Sequence, residues 1–531
     1  MHKALTTDQR YSTQGSNEGI SRRRASRFSS VITFVLLTLI VAVGIVIRLH
    51  LLGRKSLWLD EAASVTFARL PWMKFWRVLW EYEGNMAFYY VLLRGWVHFG
   101  DSEMAVRSLS VVFGVAAIPA AYALGKRLFS TKAGLISAAL LAVHSFHIRC
   151  SQEARSYSLL VLLLVLSTYF FVRLVESPRQ HRYWAAYILI GALAVYSHVF
   201  ALLVLIPQWL SLGRARLRQI GLVRILWTTV GLTLLVMPMA VFVLLKSSGQ
   251  IAWISRPTIY SFFDFARLLT GDGGNALLVA YAVFCLVAVL WLPRSEESKS
   301  PNVNERWPVR LVALWLVFPI ASTLCVSFVK PLFYERFMVM CVPAVVLLAG
   351  QGITAMNRVS PRVRWVLPIA LCLMVSLSVW GVGRYFRSFA STEEDWRSAV
   401  RYIFARQQLG DVIFFAAAGR GPFNYYIQRE TVEHANASSC IEMFPSPGDP
   451  SAGVSSGLGP DRNLSPKEKV GLAAKGHNRV WLVLYHERSP KHNAEVAAMQ
   501  AALQENFRLI ERHIFRGMGQ DITVALYLRA R

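Results

Sequence analysis

The chain has 531 residues, of which 54% are hydrophobic, and its formal net charge at pH 7 is +26. A mean hydropathy of +0.40 excludes an ordinary soluble globular protein, because apolar stretches of near-spanning length recur between residues 31 and 380. The positive charge does not indicate nucleic-acid binding, since the basic residues stand in short clusters between these stretches, as the positive-inside rule describes.

The chain opens with a basic segment, residues 1–30, in which four arginines lie between positions 22 and 27. The apolar stretch that follows is too long for the core of a secretory signal and has no small-residue cleavage site. We therefore predict an uncleaved anchor with a cytoplasmic amino terminus, leading into a transmembrane domain over 31–385. The six cysteines form no CxxC pattern and predict no disulfide framework.

Hydropathy predicts about eleven membrane spans. In chain order they cover residues 31–50, 104–125, 133–149, 157–175, 183–197, 199–212, 223–245, 276–292, 311–328, 337–355 and 363–382. The stretch 86–99 is short and rich in aromatic residues, and it carries Arg94 in its middle. These features favour a helix that lies in the membrane interface rather than one that crosses.

The basic loops test this interpretation of 86–99. If that stretch does not cross, the basic clusters all share the cytoplasmic side with the amino terminus; these clusters lie at 126–132, 173–182, 214–218 and 358–364. If it does cross, every one of these clusters lies on the side opposite the amino terminus, against the positive-inside rule. The non-crossing topology gathers the remaining polar clusters on the extracytoplasmic face: residues 60–61, 152–155, 197–198, 246–275, 333–336 and everything after Gly383.

The composition changes at about residue 391, and a small extracytoplasmic α/β domain is predicted over 386–531. Its predicted elements are helices at 394–406, 423–428 and 494–506, and strands at 411–416, 479–485 and 521–528. Residues 445–466 are rich in Gly, Ser and Pro and predict a loop. Two roles for this domain stay open, which are binding of an acceptor and stabilisation of the outer loops as a lid.

Carboxylates and arginines meet at the predicted helix ends of the extracytoplasmic face, where unused carboxylates would be costly. Transfer of a sugar from a lipid phosphate requires a carboxylate that takes a proton from the acceptor hydroxyl, and cations that bind the phosphate. Asp60 or Glu61 can supply the carboxylate. Arg155 or Arg336 can supply the cation, because the guanidinium fork binds two phosphate oxygens and can stand in for a divalent metal.

Each of these residues also has a structural interpretation. Glu153 and Arg155 can form an ion pair or cap the following helix. Arg336 can snorkel at the head of its span. For His147 and His198, a hydrogen-bonded interfacial histidine is the favoured interpretation.

A metal site is only weakly supported, and no cofactor is required by the sequence. The outward-facing donors have no spacing that fixes a ligand set. They are Asp60, Glu61, Glu153, His147 and His198.

At these positions the sequence resembles the polytopic glycosyltransferases of the C-type fold, specifically the family 39 group of dolichyl-phosphate-mannose protein mannosyltransferases, which also includes the aminoarabinose transferases of lipid A. The resemblance runs from about Leu57 to Trp396. It rests on the motifs at Leu57–Ala62, Gly100–Glu103, Arg107–Ser110, Phe146–Arg149, Gln152–Tyr157, Tyr196–His198, Tyr334–Phe337 and Glu394–Arg397.

The resemblance implies an α-helical polytopic protein with interfacial helices in its first outer loop and a sugar donor linked to polyprenyl phosphate. It further implies inversion by direct displacement, without a covalent sugar–enzyme intermediate. By position it assigns the catalytic base to Asp60, its acidic neighbours to Glu61 and Glu153, and the contacts with the donor phosphate to Arg155, Arg336 and Tyr334. It also suggests a bacterial plasma membrane.

One departure from the family pattern limits what the resemblance implies. Many members have His-Pro-Pro ahead of Leu-Tyr-Tyr, whereas this chain has Asn85-Met86-Ala87-Phe88-Tyr89-Tyr90. That loop is expected to line the substrate cleft, for which the candidates are Asn85, Tyr89, His147 and His198. The sugar therefore does not follow from the resemblance, and the acceptor, whether glycan, lipid or protein, stays open.

Two rivals belong to other classes of protein. A transporter or lipid flippase would place its intramembrane charges near the middle of the bilayer, whereas Asp60, Glu153 and Arg336 lie at the ends of predicted spans. A non-catalytic membrane scaffold would keep the fold for partner binding alone.

Overall fold

The computed structural model describes residues 29–246, 254, 256–290, 306–356, 365–387, 394–416, 419–433, 442–444, 464–485, 490–517 and 521–530. These residues form a helical bundle followed by a small α/β domain. The predictions for the basic segment 1–28, the basic cluster at 358–364 and most of the loop 445–466 lie outside the described residues.

The helices of the bundle follow the predicted apolar stretches. They are α1 (Ser29–Leu49), α2 (Leu59–Arg69), α3 (Trp72–Val78), α4 (Ala87–Trp96), α5 (Glu103–Leu128), α6 (Thr131–Ala142), α7 (Ser145–Ser151), α8 (Tyr157–Glu176), α9 (His181–Ser197), α10 (Leu202–Leu210), α11 (Arg214–Ile220), α12 (Leu222–Lys246), α13 (Ile259–Leu269), α14 (Gly274–Leu290), α15 (Trp307–Ser327), α16 (Val342–Met356) and α17 (Val366–Arg387). A π-helical turn, Leu79–Glu83, and short 3₁₀ turns connect some of them.

Within the described part of the chain, seven helices are long and apolar enough to cross a membrane, or ten if each of three bent helix pairs is one span. The bent pairs are α6 with α7, the turn Val199–Ala201 and α10 with α11, and α13 with α14. The one remaining predicted span, 183–197, corresponds to α9, which has 17 residues and so falls below the length of these candidates. The chain is thus an integral membrane protein.

Arg48, near the end of α1, stabilises the 62° bend between α6 and α7. A break in a helix leaves backbone carbonyls without partners, and inside an apolar bundle each needs a donor. The buried guanidinium of Arg48 donates to the carbonyls of Leu141 and Ala142 at 3.2 and 2.9 Å. The intramembrane arginine therefore completes the hydrogen bonding of the bend.

The region from α2 to α4 stays on one side of the bundle. Helix α4 has 10 residues, which span about 15 Å, about half the hydrocarbon thickness. It begins beside Asn85, which accepts a hydrogen bond from the turn between α9 and α10, and it ends at Trp96, whose indole donates to the carbonyl of Ala105 at the start of α5. Helix α4 is therefore too short to cross by itself, in agreement with the non-crossing prediction for 86–99. Exposed side chains on α3, Trp72 and Met73, suit contact with the interface.

The α/β domain contains one five-stranded sheet in the order β2-β1-β3-β5-β4. Its strands are β1 (Val412–Ala416), β2 (Glu442–Phe444), β3 (Arg479–Tyr485), β4 (Phe507–Phe515) and β5 (Ile522–Arg529), and its helices are α18 (Trp396–Phe404), α19 (Arg420–Glu433), α20 (Pro466–Ala473) and α21 (Pro490–Gln504). Strands β1, β2 and β3 are parallel, whereas β5 runs antiparallel to β3 and β4. The six predicted elements of this domain are present, and β2, β4 and α20 were not predicted.

The domain packs on the bundle through a continuous apolar core. Helix α19 and strand β1 contribute Phe423 and Phe415, which belong to the same buried cluster as Leu57 and Ala62 around the start of α2. A second cluster, which includes Val480 and Leu503, lies on the other face of the sheet, between β3 and α21. The α/β domain therefore lies at the end of the bundle that carries Asp60.

Candidate active site

The loop segment Gly53–Leu59 leads from α1 to α2, ends on the first residue of α2 and immediately precedes Asp60. Its backbone groups are paired largely with side chains rather than with a regular ladder. Arg107 on α5 donates to the carbonyls of Leu52, Lys55 and Ser56 at 2.9 to 3.0 Å. The position of this loop segment therefore depends on a side chain from a distant helix.

Glu61 forms a salt bridge with Arg107 and so fixes the position of its guanidinium. Both of its oxygens accept from the guanidinium, at 2.8 and 2.6 Å, and one also accepts from the backbone N–H of Ala154 at 2.8 Å. The side chains of Glu61 and Arg107 are 0% and 5% exposed. A carboxylate that is buried and saturated with donors cannot receive a proton from a substrate without losing those bonds, so Glu61 positions its neighbours.

Asp60 is the accessible acid of the predicted cluster. Its side chain is 39% exposed, against 0% for Glu61 and 9% for Glu153. It lies in the first turn of α2, where the helix dipole favours a negative charge. The Nη2 atom of Arg155 lies 3.4 Å from its Oδ2 atom. Asp60 is thus a carboxylate that an incoming hydroxyl can reach beside a fixed cation.

Arg155 is buried, and its polar contacts lead through Tyr90 to a second acid, Glu83. Its Nη1 atom donates to the hydroxyl of Tyr90 at 3.1 Å, and that hydroxyl donates to Glu83 at 3.0 Å. Burial raises the pKa of Glu83, while Arg155 opposes this shift and Asp60 adds to it. The sequence analysis did not identify Glu83 or Tyr90.

Arg336 and Glu153 form the second half of the cluster. Their nearest charged atoms are 3.7 Å apart, and Arg149 contacts the other oxygen of Glu153 at 3.4 Å. The guanidinium of Arg336 lies over the ring of Trp58, 4.4 Å from the ring centroid. Tyr334 stands at the head of the same turn, and burial raises the pKa of its hydroxyl. Asp60, Glu153, Arg155 and Arg336 are therefore brought together as predicted.

His198 closes the cluster from the turn between α9 and α10. Its Nδ1 atom accepts from the backbone N–H of Phe200 at 3.2 Å, so the proton of the neutral ring is on Nε2. Burial, reinforced by the nearby charge of Arg155, lowers the pKa of His198 to about 3, so the ring is neutral at physiological pH. The Nε2 atom is buried and has no hydrogen-bond partner among the described residues.

Three other predicted cleft residues have structural contacts. The side-chain oxygen of Asn85 accepts from the backbone N–H of Val199 at 2.8 Å. Tyr89 is fully buried, and its hydroxyl lies 2.9 Å from that of Ser110. His147 is fully buried and lies 2.8 Å from Arg48. The expectation that Tyr89 and His147 line a cleft is not met, because neither side chain has an exposed surface.

Glu394, on the segment that enters the α/β domain, contacts the start of α2. One of its oxygens accepts from the backbone N–H of Leu59 at 2.9 Å, and the other accepts from the hydroxyl of Tyr485 at 2.7 Å. Burial raises the pKa of Glu394 to about 7, against the lowering effect of these bonds. The Glu394–Arg397 motif was singled out in the sequence, but its contact with the Asp60 loop was not predicted.

The raised pKa of Glu394 predicts a pH dependence of stability. Because the folded protein retains this proton more tightly than the unfolded chain, its contribution of about 3 kcal/mol is present below about pH 4.5 and is lost as the pH rises through about 7. Thermal unfolding of wild type and Glu394→Gln between pH 4.5 and 7.5 measures this. Wild type should lose more stability over that range, and parallel curves would contradict the assignment.

A small polar cavity of about 30 Å³ lies behind the start of α2. Its lining includes Lys55, Trp58, Arg107, Gln152 and Glu153. It has room for about two water molecules and cannot enclose a sugar. Within the described residues, no group of three or more His, Cys, Asp or Glu side chains could hold a metal ion.

Comparisons with known proteins agree with this architecture. Residues 87–244 match the family model described as dolichyl-phosphate-mannose-protein mannosyltransferase. That range contains Glu153, Arg155 and His198 and begins after Asp60. A search of curated proteins finds no significant match.

Solved structures extend the likeness over most of the chain. ArnT from Cupriavidus metallidurans bound to undecaprenyl phosphate is 12% identical, with a TM-score of 0.57, and the match covers 92% of this chain and 97% of that one. The oligosaccharyltransferase of Archaeoglobus fulgidus in the apo form is 11% identical, with a TM-score of 0.52, and the match covers 90% of this chain and 73% of that one.

These likenesses define the class of fold. The chain has the helical polytopic fold of the C-type glycosyltransferases, with a small sheet domain at its carboxyl end. The resemblance drawn from the sequence motifs is confirmed for the fold and for the segment 87–244.

Proposed function

We propose that this chain is a membrane glycosyltransferase that moves a sugar from a polyprenyl-phosphate donor to an acceptor hydroxyl on the extracytoplasmic face. The observation that carries the proposal is the pairing of a partly exposed carboxylate, Asp60, with a buried guanidinium, Arg155. The likeness to ArnT, whose structure contains undecaprenyl phosphate, and the match to a mannosyltransferase family support it.

In the proposed step, Asp60 takes the proton of the acceptor hydroxyl. The oxygen of that hydroxyl attacks the anomeric carbon at the same time. The bond between that carbon and the phosphate oxygen breaks, its electron pair leaves with the lipid phosphate, and the configuration inverts. General-base catalysis of this kind contributes about 10²- to 10⁴-fold to the rate. Glu61 supports the step from its salt bridge with Arg107, which fixes the start of α2.

The leaving phosphate would bind to buried donors beside Asp60. The Nε atom of Arg155, the Nε2 atom of His198 and the indole nitrogen of Trp58 are buried and have no hydrogen-bond partner among the described residues. Arg336 adds a second positive charge over the ring of Trp58, and Tyr334 adjoins it. Such donors stabilise the charge that develops on a phosphate, and the lipid tail would then lie between spans.

Binding of the lipid phosphate tests this arrangement. Undecaprenyl phosphate should raise the melting temperature of the purified protein. Arg155→Ala should weaken its binding about 10- to 100-fold, because hydrogen bonds to a charged group are lost. Arg127→Ala is the matched control, since Arg127 pairs with Glu176 in a different cluster. Equal affinities for the two variants would contradict the phosphate site.

We propose that the reaction needs no divalent metal, because the guanidinium groups of Arg155 and Arg336 supply the positive charge, while Glu153 is already engaged by Arg149 and Arg336. Transfer should therefore continue unchanged in excess chelator. A loss of activity that added Mg²⁺ or Mn²⁺ restores would contradict this proposal.

A transporter or lipid flippase is the alternative. The contacts between Asp60, Glu153, Arg155 and Arg336 gather the charges at the ends of helices, on the side where the α/β domain packs, and this favours a surface reaction over a path through the bilayer. The proposed location is a bacterial plasma membrane, with the amino terminus cytoplasmic and the α/β domain outside.

A further inference from the structure

We propose that Glu394 is a positioning residue for the transfer reaction, through which the α/β domain fixes the start of the helix that carries Asp60. This inference rests on the proposed function and assigns a specific task to the α/β domain. Glu394 acts through the backbone of Leu59, one residue before the base, and touches no substrate.

The contact is buried and specific. The Oε2 atom of Glu394 accepts from the N–H of Leu59 at 2.9 Å and from the indole N–H of Trp396 at 2.7 Å. The Oε1 atom accepts from the hydroxyl of Tyr485 at 2.7 Å. Glu394 is 4% exposed. Three donors from three parts of the chain therefore fix one carboxylate, and that carboxylate fixes Leu59.

The start of α2 needs an acceptor from elsewhere. The first N–H groups of a helix have no partner within the helix, and an N-cap side chain with an oxygen usually satisfies one of them. The N-cap of α2 is Trp58, whose side chain has no oxygen, and Leu59 is the first helical residue. Glu394 accepts from the first of these N–H groups, that of Leu59, from a position 335 residues further along the chain.

Other contacts from the same domain fix the loop segment Gly53–Leu59. The hydroxyl of Tyr426 on α19 accepts from the N–H of Leu57 at 2.7 Å. The guanidinium of Arg397 on α18 donates to the carbonyls of Gly53 and Arg54, each at 3.3 Å. The α/β domain thus contacts the loop segment along its length, and Glu394 makes the contact nearest to Asp60.

This geometry predicts a defect in turnover rather than in donor binding. A displacement of about 1 Å at a reacting group can lower a rate about 10²-fold. Glu394→Ala removes the acceptor of the Leu59 N–H while leaving Arg155, Arg336 and His198 in place. We therefore expect kcat to fall about 100-fold while the KM for the lipid donor changes little.

A conservative variant serves as the rescue. In Glu394→Gln the amide oxygen can accept from Leu59 and Trp396, and the amide N–H can donate to the hydroxyl of Tyr485. We expect this variant to retain most of the kcat of wild type. Arg401→Ala is the matched control for damage to the domain, because Arg401 bonds Glu430 between α18 and α19, away from the loop segment.

The experiment measures kcat, KM and hydrogen exchange of the full chain for wild type and the three variants. The proposal predicts faster exchange at residues 57–61 and a low kcat in Glu394→Ala only. It is overturned if Glu394→Ala keeps the wild-type kcat and exchange, or if Arg401→Ala loses as much kcat. If wild type transfers no sugar but Glu394→Ala still speeds hydrogen exchange at residues 57–61, the proposed function is wrong. The contact between Glu394 and Leu59 is then still supported.

Discussion

Asp60→Asn is expected to lower the rate of sugar transfer by about 10³-fold, within the range that a general base contributes. The amide has the shape of the carboxylate but cannot take the proton of the acceptor. The contact with Arg155 is long, at 3.4 Å, and the side chain is partly exposed, so the fold should be unaffected. Transfer from the lipid donor, measured with purified protein in detergent, gives the result.

A matched control separates this loss from a general effect of charge. Asp101 is a comparably exposed acid at the same end of the bundle, where it pairs with Arg429 and with Arg69 in the last turn of α2. Asp101→Asn removes one negative charge, and neither partner belongs to the Asp60 cluster. This control should retain near-normal transfer. Near-normal turnover in Asp60→Asn, with normal folding and membrane insertion, would contradict the assignment of Asp60 as the base.

The salt bridge between Glu61 and Arg107 carries the second large expected effect. Removing one partner of a buried pair leaves the other charge unpaired and costs about 3–5 kcal/mol. Glu61→Leu and Arg107→Leu should each lower the melting temperature and the activity together, because both release the loop segment Gly53–Leu59. Thermal unfolding and transfer assays of the same samples measure the two effects.

A double variant that combines Glu61→Leu with Arg107→Leu tests whether Glu61 acts through Arg107. If Glu61 acts only through Arg107, the double variant should be less destabilised than the sum of the single variants, as coupled sites require. Conversely, Glu61→Gln with unchanged stability and no transfer would give Glu61 a direct part in the chemistry.

The sequence predicted the site residues best where the signal lies within a short stretch of the chain. Charged groups at the ends of long apolar stretches stand out, so Asp60, Glu153, Arg155 and Arg336 could be placed on one face from hydropathy and loop charge alone. The structure brings them into contact. Which acid is accessible could not be predicted, because the difference between Asp60 and its neighbour Glu61 arises from Arg107, a partner 46 residues away.

The other site contacts that the sequence analysis did not identify depend on segments that are distant along the chain. Glu83 lies in a π-helical turn, which has no strong sequence signal, and it is recognisable only through Tyr90 and Arg155. Glu394 was part of a noted motif, but its bond to Leu59 spans 335 residues. Asn85 accepts a hydrogen bond from the backbone N–H of Val199 and so joins the region between α2 and α4 to the turn between α9 and α10.

In the α/β domain, strand β4 has an identifiable reason for being missed. Its pairing with β5 shifts register between Leu509 and Glu511, and this irregularity breaks the alternation of polar and apolar residues that indicates a strand. Helix α20 had a usable signal, because Ser465 and Glu468 form a capping box with Pro466 at the first helical position. Its start overlaps the predicted loop 445–466.

The most direct test of the central claim is a transfer measurement in proteoliposomes with radiolabelled polyprenyl-phosphate sugars and a mixture of acceptors. The account predicts that label moves covalently to an acceptor, that an equal amount of free polyprenyl phosphate appears, and that both products are lost in Asp60→Asn. Label that crosses the bilayer still attached to its lipid, with no free polyprenyl phosphate formed, would contradict the account and identify a transporter.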